Sequence, residues 1–383
     1  TWVLLANAAD ASLMRNKLAL DYARSLGLQY TSDSRWVDLR VDGKCYGNYL
    51  MAEKVEANKS RVALTDPRGV VVEINNNMGD LTNPIEDYYY KIGSNVDKVN
   101  IVLKDAKDGV PNLAEGPLPA TTAEGWDNMK TSMTQLYNAL RQKNPDWGAI
   151  SSMIDVDSFV KYYFVGELTE NPEIVAASVY FYKNGPGDKI HAGPAWDYDS
   201  SLFNFNTTEN LGADPLSDYV KNSSTLRKSG VAARSNPTSP IYQDLFRNPE
   251  FVDRANELWT SDIAAKTAAL PGKIDAYRQT IANSAALNFT LPRSRILGKP
   301  TLLGAGFGKS YESTWGGEVD YLKARVSQRV NHLNREYGVV PTLTYRGYSQ
   351  NIGWAGYMMS GQIAGTTGQS LRLEGFNLSV KNR

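Results

Sequence analysis

Two short acidic segments in the middle of the chain carry the residue types that phosphoryl transfer requires. Residues 167–173 (ELTENPE) end a predicted helix, and residues 196–199 (WDYD) end a predicted two-stranded ribbon. Mg²⁺ prefers carboxylate and amide oxygens, and the reaction also needs a carboxylate near the acceptor hydroxyl. Asp197 and Asp199 lie two residues apart, so both side chains would face one metal if the strand continues through them.

These residues also have simpler interpretations. A carboxylate pair at the end of a strand is commonly a solvated loop or a cap, and Asn171-Pro172 alone is typical of a turn. The spacing of Asp197 and Asp199 also fits the DxD metal motif of a glycosyltransferase, although the chain does not open with the alternating strands and helices of a nucleotide-sugar domain. The residues alone leave these alternatives open.

Cationic side chains that would contact phosphates come from the first part of the chain. Arg15 and Lys17 lie on the first predicted helix, and Lys54 follows Glu53 at the end of a predicted hairpin strand. A phosphoryl-transfer site needs a lysine that neutralises phosphate charge and a carboxylate that positions this lysine. An exposed surface lysine is the simpler interpretation of Lys54.

Composition excludes several classes of protein. The 383 residues contain 41 Lys and Arg against 41 Asp and Glu, so the basic excess of a nucleic-acid-binding protein is missing. No run approaches the ~18 apolar residues of a membrane span. A single cysteine excludes an intrachain disulfide, and two distant histidines argue against a zinc site.

The order of the helices and strands that must position these residues indicates an α+β fold. It lacks the regular alternation of a doubly wound fold. A buried strand is predicted at 2–6 and a helix from Leu13 to Leu26, followed by a hairpin that turns at Asp42-Gly43. Further strands are predicted at 70–74, 178–183 and 190–196, and helices at 126–142, 157–168, 249–270, 274–284 and 318–337.

Three blocks of the sequence resemble the CotH family of atypical bacterial protein kinases. They are residues 2–20 (WVLLANAADASLMRNKLAL), residues 38–62, which contain YLMAEKVEANKSRV, and residues 159–203, which contain ELTENPE, SVYFYKN and GPAWDYD. The resemblance implies a divergent two-lobed protein-kinase-like domain over residues 1–338. It also implies transfer of the γ-phosphate of ATP to Ser or Thr of a protein, with Mg²⁺ or Mn²⁺ as cofactor.

The resemblance assigns a role to each acidic residue. Asp197 takes the place of the family's metal-binding aspartate, with Asp199 as its companion and Asn171 as a further ligand. Glu173 stands where the family usually has a catalytic aspartate and is one methylene longer.

For the nucleotide, the resemblance implies that Lys54, positioned by Glu53, contacts the phosphates together with Lys17 and Arg15. Family members commonly have further strands upstream of the first block. Without these strands, and with Glu173 as the catalytic carboxylate, a catalytically weak pseudokinase or surface-binding scaffold is the alternative function.

The last part of the chain is similar to the clostridial hydrophobic repeat with a conserved tryptophan, ChW. Residues 350–354 (QNIGW), 364–367 (AGTT) and 371–374 (LRLE) carry this resemblance, which implies a small β module at 342–383. Such repeats imply an extracytoplasmic location, on the cell surface or spore coat of a Gram-positive bacterium, and a surface ligand. Trp354 and Tyr357 form either a contact surface or the core of this module.

Overall fold

The structure is a computed structural model. The chain divides into two compact units, Thr1–His332 and Leu333–Arg383. The structure describes residues 1–75, 88–93, 99–110, 117–171, 177–204, 241–292, 296–299, 311–338, 342–355, 358–359, 364–365 and 370–381.

The first unit opens on a three-stranded antiparallel sheet. Its strands are β1 (Trp2–Leu5), β2 (Ser34–Val41) and β3 (Lys44–Glu53), in the order β1-β3-β2. Asp42 and Gly43 both have positive φ, at 49° and 76°, which is the type I′ turn that the sequence predicts. The prediction that β1 is buried is wrong, because β1 lies at the edge of the sheet and leaves Trp2 and Leu4 exposed.

Helix α1 (Arg15–Ser25) follows β1. At its start, two side chains accept hydrogen bonds from free backbone N–H groups. The Asp10 carboxylate accepts a hydrogen bond from the Arg15 N–H at 2.8 Å, and Ser12 Oγ accepts one from the Met14 N–H at 3.1 Å. These bonds satisfy donors that a helix start leaves without partners. Gly27, with φ 71°, follows the end of the helix.

The second sheet of this unit has five strands, in the order β5-β6-β4-β7-β8. Its strands are β4 (Val70–Ile74), β5 (Tyr89–Ile92), β6 (Val99–Ala106), β7 (Val179–Lys183) and β8 (His191–Ala192). The sequence analysis did not predict β5 or β6, and β8 is shorter than predicted. Strand β7 pairs with β4, so the ribbon that leads to Asp197 is part of this larger sheet.

Helices form much of the rest of the first unit that the structure describes, and the last of them continues into the second unit. They are α2 (Ala120–Leu140), α3 (Trp147–Met153), α4 (Val156–Thr169), α5 (Ile241–Leu245), α6 (Pro249–Leu258), α7 (Ala264–Ala268), α8 (Leu270–Asn288) and α9 (Trp315–Tyr337). A π-helical turn at Trp259–Ile263 separates α6 from α7, where the sequence predicts one continuous helix. The Trp259 ring is fully buried in this turn and lies 4.8 Å from the ring of Phe164 on α4.

A small apolar cluster joins the five-stranded sheet to the chain that follows β3. It contains Val55, Val62 and Leu64 from this chain and Val71, Tyr180 and Tyr182 from β4 and β7. Trp196 packs against the same cluster. The residue before Asp197 is therefore fixed by burial of apolar surface.

The second unit contains an antiparallel sheet around one long strand. Strand β9 (Thr342–Ser349) pairs with β10 (Gly353–Trp354), β11 (Met358–Met359) and β12 (Leu373–Lys381). Trp354 is 46% exposed, and the Arg346 guanidinium lies 4.6 Å from its ring centroid. This exposure favours a contact surface over a core role for Trp354.

Helix α2 approaches the chain before β4 so closely that only glycine fits at Gly125. A Cβ atom there would lie 2.0 Å from the carbonyl oxygen of Arg68. We expect Gly125→Ala to lower the free energy of unfolding by ~1–3 kcal/mol, because overpacking outweighs the gain in helix propensity.

The matched control is Gly272 in α8, where an added Cβ would have no atom within 4 Å. Gly272→Ala is expected to raise the free energy of unfolding by ~0.5–1 kcal/mol. Urea denaturation measures both changes. Equal stability of Gly125→Ala and the parent chain would show that α2 does not approach Arg68 in this way.

Candidate active site

Asp197 lies in the loop after β8, and its side chain and backbone are held by two other segments. Its φ of 67° is left-handed, so the strand does not continue through it as expected. Ser178 Oγ donates to Asp197 Oδ2 at 3.1 Å, and Asn171 Nδ2 donates to the Asp197 carbonyl oxygen at 3.3 Å. The structure thus brings Asn171 and Asp197 together, and this hydrogen bond runs to the backbone of Asp197.

Asp199 lines the same cavity as Asp197, and the volume of this cavity is about 330 Å³. Burial, followed by the negative charges of Asp197 and Asp10, raises the pKa of Asp199 to about 6, against an opposing hydrogen bond from the Ser200 N–H. Neighbouring carboxylates disfavour each other's ionised form, and a cation between them relieves this repulsion. The cavity therefore concentrates negative charge when both aspartates are ionised.

The opposite wall of the cavity comes from the chain after β1 and from α1. Asn16 and Leu20, one helical turn apart, face it together with the short segment that follows Leu5. Asn16 Oδ1 accepts a hydrogen bond from the Tyr198 N–H at 2.7 Å, so α1 fixes the backbone between the two aspartates. The sequence analysis missed Asn16, whose one signal is a polar side chain beside the apolar positions of α1.

Family models match both parts of the chain. Residues 1–333 match the family model described as CotH kinase protein. The chain belongs to the CotH kinase family. Residues 348–382 match the family model described as Clostridial hydrophobic W. No curated protein matches the chain.

The two family matches confirm both resemblances found in the sequence. The mixed helix and strand structure, with a small C-terminal sheet, is consistent with a kinase-like fold, and the family supports a kinase-like function with a nucleotide and a divalent metal. None of the helices in the described ranges has the length and apolar character that crossing a membrane demands.

Arg15 is the most deeply buried of the predicted phosphate contacts. Its Nη1 lies 2.6 Å from Asp10 Oδ1 and its Nη2 lies 2.9 Å from Glu318 Oε1, with all three side chains at 0% exposure. Its Nε donates to the Leu202 carbonyl oxygen at 3.3 Å. A phosphate contact would require these bonds to break. The role of Arg15 as a phosphate contact stays a prediction, and its buried pairs argue against it.

The other predicted nucleotide contacts do not line the cavity that holds Asp197 and Asp199. Lys17 Nζ pairs with Asp21 at 2.8 Å along α1. Glu53 pairs with Arg61 at 2.5 Å, while Lys54 is exposed. Their roles toward ATP stay predictions.

The five-stranded sheet carries a lysine–glutamate pair that the sequence analysis did not single out. Lys104 Nζ of β6 lies 2.6 Å from Glu73 Oε2 of β4, and Glu73 stands directly opposite Tyr180 of β7. Burial, followed by the negative charge of Glu73, the neighbouring Tyr162 and the negative charge of Asp197, raises the pKa of Tyr180. Tyr180 is therefore close to both Asp197 and this pair, whose members are far apart in the sequence.

The oxygen donors at the cavity fit a divalent ion that arrives with a nucleotide. Among the described ranges, no three His, Cys, Asp or Glu side chains are grouped so that they would hold a metal. Mg²⁺ commonly takes only one or two carboxylates and completes its shell with waters and substrate phosphates. Asp197 and Asp199 supply that number. Glu173 lies outside the described residues, and its catalytic role stays a prediction.

The buried pairing of Arg15 predicts a large effect on stability in the absence of any nucleotide. Arg15→Met leaves Asp10 and Glu318 buried without their cation, so we expect a loss of ~3–5 kcal/mol in the free energy of unfolding. Lys17→Met, two residues away, removes one pair within a helix and should cost less than ~1 kcal/mol. Chemical denaturation measures both. Similar small losses would mean that Arg15 is available for a ligand.

Proposed function

We propose that this chain is an atypical Ser/Thr protein kinase that transfers the γ-phosphoryl group of ATP to a protein at the cell surface or in the spore coat. The main support is the convergence of Asp197 and Asp199 on one cavity, with Asn171 bound to Asp197, in a chain of the CotH kinase family. Fold alone would not carry this proposal, because one fold supports many activities.

Asp197 and Asp199 would hold the divalent ion, and Asn171 would support them. A bound Mg²⁺ or Mn²⁺ supplies positive charge to the phosphate oxygens. The remaining contribution of the chain is positioning: Ser178 orients the Asp197 carboxylate, and Asn16 holds the backbone that follows. Such preorganised contacts reduce the reorganisation needed during the reaction.

Glu173 is the proposed partner of the acceptor hydroxyl. In the transfer, the hydroxyl oxygen bonds to the γ-phosphorus while the bond from phosphorus to the ADP oxygen breaks. The hydroxyl proton passes to the Glu173 carboxylate. The carboxylate is one methylene longer than the family's usual aspartate, and a misplacement of ~1 Å can cost on the order of 10²-fold in rate.

Lys104 is a second candidate for the phosphate-binding cation, beside Lys54. Lys104 carries a carboxylate partner, Glu73, and its Nζ lies 5.9 Å from the ring centroid of Tyr180, whose pKa responds to the charge of Asp197. The Lys104 side chain is 41% exposed, so a ligand can reach it. This combination matches the lysine and positioning carboxylate that phosphoryl transfer requires.

The ChW module at 342–383 would place this activity outside the cytoplasm. We propose that its exposed Trp354 belongs to a surface that binds an extracellular or cell-wall ligand. Aromatic side chains supply large contact areas at such surfaces.

Nucleotide binding tests the proposal first. We expect ATP with Mg²⁺ or Mn²⁺, at ~100 times its dissociation constant, to stabilise the chain by about 2.7 kcal/mol. Asp197→Asn should abolish this shift, because it removes a charge from the cation site. Thermal unfolding with and without metal measures the effect, and transfer of labelled phosphate to a protein tests turnover.

Each alternative function gives a different result in the same experiment. No ATP-dependent shift in either protein overturns the kinase proposal and favours a binding scaffold. ATP binding without any transfer of phosphate identifies a pseudokinase. Selective stabilisation by a nucleotide sugar over ATP would identify a glycosyltransferase.

A comparison of two lysine variants distinguishes the candidate phosphate contacts. We expect Lys104→Met to weaken ATP binding about tenfold or more, because a charge-assisted hydrogen bond contributes ~1.5–3 kcal/mol. Lys54→Met removes an exposed lysine that has neither the Glu73 pair nor the Tyr180 contact of Lys104, and it should change the dissociation constant less than about twofold. The reverse result would support Lys54 as the phosphate contact, as predicted from the sequence. Isothermal titration with ATP and Mn²⁺ gives both constants.

A further inference from the structure

A fully buried arginine of α9 holds the C-terminal end of α4, next to Asn171. Arg329 has 0% side-chain exposure, and its Nη1 lies 3.1 Å from Glu170 Oε1. Its Nη2 lies 3.1 Å from Glu167 Oε2, and its Nε and Nη2 donate to the Glu167 carbonyl oxygen at 3.1 and 2.7 Å. One guanidinium group thus contacts two carboxylates and one backbone carbonyl.

The end of α4 needs such support because the residue that caps it adopts an unfavourable backbone conformation. Glu170 has φ 44° and ψ 46°, the left-handed region that helix ends usually give to glycine or asparagine. Residues other than glycine keep a left-handed conformation only where their surroundings enforce it. The Glu167 carbonyl is one of the groups that a helix end leaves without a helical partner, and Arg329 satisfies it.

The same turn determines where Asn171 points. Asn171 directly follows Glu170 and donates to the Asp197 carbonyl oxygen. Thr169, directly before Glu170, accepts a hydrogen bond at its carbonyl oxygen from the Leu202 N–H at 2.7 Å. The end of α4 is therefore bonded both to Asp197 and to the chain that follows Asp199.

We propose that Arg329 is a positioning residue for the phosphoryl-transfer site. By holding Glu167 and Glu170, it fixes the left-handed turn that presents Asn171 to Asp197. The catalytic consequence rests on the proposed kinase function, whereas the effect on the turn does not. Lysine cannot replace Arg329, because only the planar guanidinium fork reaches both carboxylates and the carbonyl together.

Two variants of the full chain and one control test this role. Arg329→Lys keeps the charge but loses the fork, and Glu170→Gln keeps the side-chain shape but loses the charge. The control is Arg254→Lys. Arg254 makes two bonds of 2.7 Å to Asp157 in the first turn of the same helix, at its other end.

Hydrogen exchange and kinetics are measured on each folded variant. We expect amides in peptides that contain Thr169–Asn171 to exchange at least tenfold faster in Arg329→Lys and Glu170→Gln, with peptides elsewhere in the first unit unchanged. We expect kcat to fall ~100-fold, as a displacement of ~1 Å can cause, while the dissociation constant for ATP changes less than threefold. Arg254→Lys should match the parent chain in both measurements.

Several outcomes overturn the proposal. Unchanged exchange at Thr169–Asn171 in both variants would show that Arg329 does not fix the turn. Faster exchange with unchanged kcat would show that the turn does not serve transfer. Global unfolding of both variants, without a separate local effect, would reduce Arg329 to a fold-stabilising residue. If the parent chain transfers no phosphate, the kinase proposal fails, and exchange alone decides whether Arg329 fixes the turn.

Discussion

The site depends on one constraint, which is that two buried guanidinium groups must each be paired with carboxylates. Arg15 and Arg329 are completely removed from water, and an unpaired charge in such a place is strongly destabilising. Each guanidinium group is therefore paired with two buried carboxylates, those of Asp10 and Glu318 for Arg15 and those of Glu167 and Glu170 for Arg329. Because these partners come from segments far apart in the sequence, folding brings the segments together before any ligand binds.

The backbone of Leu202 connects the two arginine clusters. Its N–H donates to Thr169 at the end of α4, and its carbonyl oxygen accepts from Arg15 Nε. Glu318 and Arg329 lie about three turns apart on α9, so one face of this helix reaches both clusters. The chain after Asp199, the turn before Asn171 and the start of α1 consequently belong to one hydrogen-bonded network.

Local signals in the sequence predicted the parts of this arrangement that local interactions form. The Asp42-Gly43 turn, helix α1 and the position of the two acidic segments after a helix and a ribbon follow from neighbouring residues. The five-stranded sheet and the Lys104–Glu73 pair do not, because strand pairing joins residues that no local pattern relates. The phosphate role of Arg15 is predicted from the family resemblance and from its place on the first helix. Its burial depends on Glu318, which only the folded chain brings close.

The pairing of Arg15 also explains why the cavity retains negative character. Asp10 lies close enough to raise the pKa of Asp199, yet the Arg15 guanidinium group bonds Asp10 and Glu318. An arginine directed at Asp199 would neutralise the cavity and would compete with a divalent ion for its oxygens. The fold therefore separates two tasks. Matched, fully buried pairs fix the shape of the site, and the partly buried aspartates at the cavity would hold the cation of the proposed function.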